Sequence, residues 1–142
     1  MHVAAEVHTA DMAAGTKDDP WLLTTPPGSS SYLMYIDGDE LVCVVGSTTL
    51  KYQARAIDDL AAWLVEQGDW VPLGAADEQK AAAGGSVEAW GRSEDNPVVG
   101  WYGLRKGYRG RFGMYLPPLL EALGRAELTH DARNNRMRAV IS

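Results

Sequence analysis

Two short apolar runs, residues 32–36 and 41–45, face each other across Asp37-Gly38-Asp39. Tight hairpin turns need a positive φ that Gly and Asp tolerate, so Asp37-Gly38 between such runs predicts a β-hairpin. A preceding run at 21–25 is set off by Pro26-Pro27-Gly28-Ser29, and a following run at 48–53 is set off by Gly46-Ser47. Each breaker pair marks a chain reversal, which extends the hairpin into an antiparallel meander. The period then changes. Over residues 55–67, Ile57, Leu60, Ala61 and Leu64 recur at i, i+3, i+4 and i+7, the spacing of an amphipathic helix, and Gly68 is placed to stop it.

The remainder is less regular. Residues 1–19 show no sustained periodicity and end in Asp18-Asp19-Pro20, which predicts a mobile tail ahead of a single domain over 20–142. Residues 69–74 read as a loop whose apolar side chains cover the helix end, residues 77–83 as two helical turns, and residues 87–90 are too short for periodicity to decide. Pro117-Pro118 opens a short second helix that runs to Leu123 and is ended by Gly124, since proline is tolerated in a first turn. Residues 127–132 and 137–141 form a closing hairpin around Arg133-Asn134-Asn135-Arg136, where Asn tolerates the left-handed region. The fold class is therefore α+β: an antiparallel meander, one principal helix, a short second helix and a closing hairpin, packed in two layers. A winged-helix arrangement, with Arg133 and Arg136 on the wing, is the alternative, although it lacks a three-helix core.

Charge is distributed unevenly along the 142 residues. Residues 1–104 carry 5 Lys and Arg against 16 Asp and Glu, while residues 105–142 carry 8 against 3. An acidic body with a basic face points to anionic partners, and arginine's planar five-donor fork suits phosphate and carboxylate. Read as extended from Leu104, the stretch to Tyr115 places Leu104, Tyr108, Phe112 and Met114 on one face and Arg105, Arg109 and Arg111 on the other. Its glycines at 107, 110 and 113 permit close approach of a ligand or backbone, but they also weaken a regular strand. Arg133, Arg136 and Arg138 on the closing hairpin form a second candidate anion or nucleic-acid site. The competing account pairs these arginines with the acidic body of the same chain.

Several chemistries are disfavoured by what the sequence lacks. One cysteine, Cys43, allows neither an internal disulfide nor a cysteine-built zinc site, and its apolar neighbours offer nothing to stabilise a thiolate. His130 is followed by Asp131, which points to the opposite face of a strand, and His2 and His8 sit in the tail, so no metal cluster and no catalytic residue is assigned. Gly46-Ser47-Thr48-Thr49 lacks the spacing and the lysine of a nucleotide-binding loop, and no cofactor is expected. Acidic pairs at 18–19, 58–59 and 94–95 read as solvated charge. The longest uncharged apolar run, 41–45, is far short of the ~20 residues that span a bilayer, and no signal pattern opens the chain, so a cytoplasmic protein with no membrane association is expected.

From Trp70-Val71-Pro72-Leu73-Gly74 through Gly100-Trp101-Tyr102-Gly103-Leu104 to Arg133-Asn134-Asn135-Arg136-Met137-Arg138, the chain resembles small uncharacterised domains of high-GC bacteria. The resemblance implies no activity and supplies no catalytic residue. The leading function is thus a non-enzymatic binding module whose arginine face takes an anionic partner: nucleic acid, a phosphorylated ligand or an acidic protein surface. The alternative is a homo-oligomeric interaction domain, its basic face docked on a neighbour's acidic part. An enzyme with an unrecognised pocket comes third, supported by the aromatics available to line a cleft.

Overall fold

The computed structural model describes residues 15–140. Strands β1 (Trp21–Thr24), β2 (Ser31–Asp37), β3 (Glu40–Val45) and β4 (Thr48–Gln53) form one antiparallel sheet in chain order. Asp37 pairs with Glu40 and Val45 with Thr48, which leaves Gly38-Asp39 and Gly46-Ser47 as the two-residue loops. Only the first residue of each loop has positive φ, 63° at Gly38 and 58° at Gly46, the signature of a II′ turn. Strand alternation then aligns Met34, Cys43 and Leu50 across three strands, all of them buried.

Helix α1 (Ala56–Gln67) buries Ala56, Ile57, Leu60, Ala61 and Leu64, and Gly68 caps it at φ 71° with its N–H on the Leu64 carbonyl. Helix α2 (Val87–Arg92) begins at Ser86, whose side chain accepts from the Ala89 N–H. Residues 77–83, expected as helical turns, form no helix: Asp77 bridges to Gly110, residues 78–80 turn, and Arg92 donates to the Asp77 and Lys80 carbonyls. The third helix, α3 (Phe112–Ala122), is the main correction to the sequence expectation. It starts at Phe112 and carries Pro117 and Pro118 inside it, so the predicted helix over 117–123 is only its second half. The period explains why: Phe112, Tyr115, Leu116, Leu119 and Leu120 recur at helical spacing, and all are buried. The predicted strand over 104–115 does not form. Gly100, Gly103, Gly107 and Gly110 all take positive φ, and they break residues 100–111 into successive turns.

A second antiparallel sheet has the order β5 (Val71–Pro72), β7 (Arg136–Ala139), β6 (Ala126–Leu128). The loop expected at 69–74 thus contributes a strand, and the closing hairpin is real but its turn is wide. Asn134 alone is left-handed, at φ 60°. Asn135 instead braces residues 129–135 with its side chain, whose Oδ1 accepts from the Asp131 N–H and the Thr129 hydroxyl while Nδ2 donates to the Asp131 carbonyl. Helix α3 packs on β1, β6, α1 and α2, so the two sheets and three helices share one core around Leu60, Leu116, Leu119, Leu120 and Met137. The fold is α+β. A winged helix does not describe it, since the larger sheet is complete before the first described helix.

Of the stretch expected as tail, residues 1–14, with His2 and His8, lie outside the described residues. Residues 15–19 form a turn in which the Gly15 carbonyl accepts from the Ile36 N–H. Gly15 lies against the Trp21 ring, where an added Cβ would come within 2.5 Å.

Candidate ligand cavity and the arginines

The chain after β5 is held by a buried ion pair. Glu88, fully buried on α2, receives Arg92 Nε at 3.0 Å one turn later. Its other oxygen accepts from the N–H of Gly113 at 3.0 Å and of Ala76 at 3.3 Å. The Arg92 guanidinium, lying 4.6 Å from the Trp101 ring centre, donates to the carbonyls of Ala76, Asp77 and Lys80. One pair thereby ties residues 76–80 to the start of α3. Approach between these segments is close: a Cβ on Gly113 would sit 2.4 Å from the Leu73 carbonyl oxygen, and one on Gly74 would sit 2.4 Å from Ser86. Leu73 is fixed at both ends, its N–H on the Asn135 carbonyl and its C=O on the Glu88 N–H.

These constraints leave a cavity of about 740 Å³ between the Pro26-Pro27 turn, the strand end at Pro72 and Leu73, Met114 on α3, and the 132–136 loop. The volume falls within the ~300–1,000 Å³ usual for small-molecule sites. Its walls are mainly apolar, and Arg133 and Arg136 supply its charge. Pro117 and Pro118 carry no N–H, so the carbonyls of Gly113 and Met114 on that wall lack their usual helical donors.

The six predicted arginines do not converge. Arg111 is paired with Asp77 at 2.6 Å, and Arg138 is paired with Glu127. Arg105 lies 4.6 Å over the Tyr108 ring. Arg109 lies 5.3 Å from the Trp101 centroid, and its Nε is buried without a hydrogen-bond partner among the described residues. Arg109 and Arg111 line one hollow of about 440 Å³ and Arg105 another of about 570 Å³. The three arginines therefore do not line one hollow: Arg109 and Arg111 share theirs, and Arg105 lines the neighbouring one, the two meeting at Thr48 and Tyr108. Arg133 and Arg136 do share a cavity. Among the described residues neither forms an ion pair, and Arg136 and Arg138 both lie near the Trp70 ring, at 5.9 and 4.6 Å.

Cys43 is a core residue whose thiol is pushed up to about 12 by burial. It forms no dyad with His130, since both imidazole nitrogens are engaged elsewhere, Nδ1 with the Pro26 carbonyl at 2.9 Å and Nε2 with Glu121 at 2.6 Å. Burial also raises Tyr32, Tyr52 and Tyr102 above the ordinary phenol range. No group of three His, Cys, Asp or Glu among the described residues is placed to hold a metal ion, and no described helix is long and apolar enough to cross a membrane. Sequence reasoning missed the cavity, whose prolines and Met114 come from three separate segments. It also missed Glu88–Arg92, although the i, i+4 spacing of that pair was visible.

The model of a family of unknown function (DUF6855) matches residues 13–140. No curated protein and no solved structure matches the chain.

Proposed function

The chain belongs to this family of unknown function, and from its own geometry we propose that it is a binding module for a ligand with an apolar body and an anionic head. The observation that carries the proposal is the apolar cavity of about 740 Å³ with Arg133 and Arg136 at its edge, neither of them paired to a carboxylate among the described residues. An apolar wall supplies burial, and two guanidinium groups supply charge-assisted hydrogen bonds to a carboxylate, phosphate or sulfonate. Self-association of basic on acidic parts is less favoured. Arg111–Asp77 and Arg125–Asp58 already spend that complementarity within one chain.

The test uses 8-anilinonaphthalene-1-sulfonate, whose fused rings and sulfonate reproduce both features. Its fluorescence should rise saturably with the native protein. The double variant R133A/R136A should bind about tenfold or more weaker, since a charge-assisted hydrogen bond contributes ~1.5–3 kcal/mol. R105A/R109A should bind as the parent does. Equal affinity in all three proteins refutes the site, and loss in R105A/R109A alone moves it to the 105–111 turns.

A further inference from the structure

We propose that His130 is a proton-operated latch on the cavity: as an imidazolium it ties the Pro26-Pro27 wall to α3, and as a neutral ring it releases one end. The regulatory role rests on the cavity reading above, while the latch itself stands on hydrogen-bond geometry. His130 Nδ1 lies 2.9 Å from the Pro26 carbonyl oxygen and Nε2 lies 2.6 Å from Glu121 Oε2. A carbonyl and a carboxylate both accept and neither donates. A neutral imidazole carries one N–H, so it satisfies only one of these partners at a time. The arrangement in the structure is that of the cation.

Three segments meet at this ring: the β1–β2 turn, α3 and the 129–135 loop. The charged groups facing it are Glu121 from α3 and Asp131 beside it in the loop, while the turn contributes only the neutral Pro26 carbonyl. The hydrogen bond to Glu121, then that to Pro26, raises the imidazole above its ordinary value, with the negative charges of Glu121 and Asp131 adding to them and partial burial opposing. The sign follows. A raised histidine keeps its proton above the ~6.5 of a free imidazole, so the latch is complete at low pH and is lost as pH rises through the folded value.

What moves is set by the turn. Pro26 and Pro27 have fixed φ and behave as a stiff pair, and Gly28, at φ 80°, is the flexible residue beside them. The turn's own bonds, Gly28 N–H to the Thr25 carbonyl and Thr25 N–H to the Ser30 carbonyl, hold its shape but do not join it to the 129–135 loop. His130 supplies that join. Loss of the Nδ1 bond therefore frees the proline wall from the loop that carries Arg133 and Arg136, and a proton is coupled to access.

The experiment is an NMR pH titration of the full chain without ligand, following the His130 ring, the Gly28 amide and the Met114 methyl. In the native protein all three should share one midpoint above ~6.5. In H130Q the Gly28 and Met114 signals should be flat, and in E121Q the His130 midpoint should fall. A His130 midpoint at or below ~6.5 overturns the proposal, as do Gly28 and Met114 signals that ignore a His130 titration. Affinity for 8-anilinonaphthalene-1-sulfonate at pH 6 and pH 8 should differ in the native protein and not in H130Q; equal native affinities refute control of access. Should the dye bind at neither pH, the cavity reading falls while the ligand-free titration still decides the latch.

Discussion

Replacing Arg92 by alanine removes the cation that pairs with a fully buried carboxylate. Glu88 is 0% exposed in its side chain and Arg92 only 12%, so solvent screens the pair weakly. Truncating one partner of such a pair leaves an uncompensated buried charge, which typically costs ~3–5 kcal/mol. The variant also strips donors from the carbonyls of Ala76, Asp77 and Lys80 and removes the guanidinium from Trp101, which places it toward the upper end. Against a total stability of ~5–15 kcal/mol, that is a large fraction. Urea unfolding reads it directly: with a slope of about 2 kcal/mol per molar, the midpoint should fall by roughly 2 M. E88Q/R92A should cost less than the sum of its two single variants, because the neutral amide no longer strands a charge. An R92A midpoint within about 0.5 M of the parent would show that the carboxylate does not depend on its partner.

Gly113→Ala should destabilise by about 1–3 kcal/mol or more, since its Cβ would sit 2.4 Å from a backbone oxygen that cannot swing aside; thermal melting measures it. Cys43, with its thiol pushed up to about 12, should react slowly with thiol reagents in the native protein and quickly in denaturant, and fast native labelling would contradict its burial. Deleting residues 1–19 should leave 20–142 folded but about 1 kcal/mol less stable, through loss of the Gly15–Ile36 hydrogen bond and the cover on Trp21. A deletion variant that does not fold would place the domain boundary earlier.

Local rules located the first half of the chain. Gly38 and Gly46 mark their turns because a two-residue loop needs a left-handed residue, and glycine takes that conformation without a steric cost. Residues 56–67 were legible because five buried positions follow one helical face, with Gly68 at the end. Neither feature depends on distant contacts. The β5 strand, by contrast, is two residues long and exists only because β7 pairs with it, so no local pattern announces it.

The arginine stretch shows how a local rule misleads when two periods fit one sequence. Alternation from Leu104 to Tyr115 satisfies a strand, while Phe112, Tyr115 and Leu116, carried on to Leu119 and Leu120, satisfy a helix. Burial decides between them, because a helix from Phe112 puts all five in the core between β1, β6, α1 and α2. Prolines at 117 and 118 suggest a helix start, yet the apolar face extends a turn and a half upstream of them. Once α3 begins at Phe112, residues 100–111 have to cross from α2 to its first turn, and their left-handed glycines make that path. The three arginines riding on those turns are divided between two adjoining hollows as a consequence. Arg133 and Arg136 remain together because they lie on the rim of a loop that Asn135 braces from inside, a role for which the amide of a single buried side chain leaves no periodic signal.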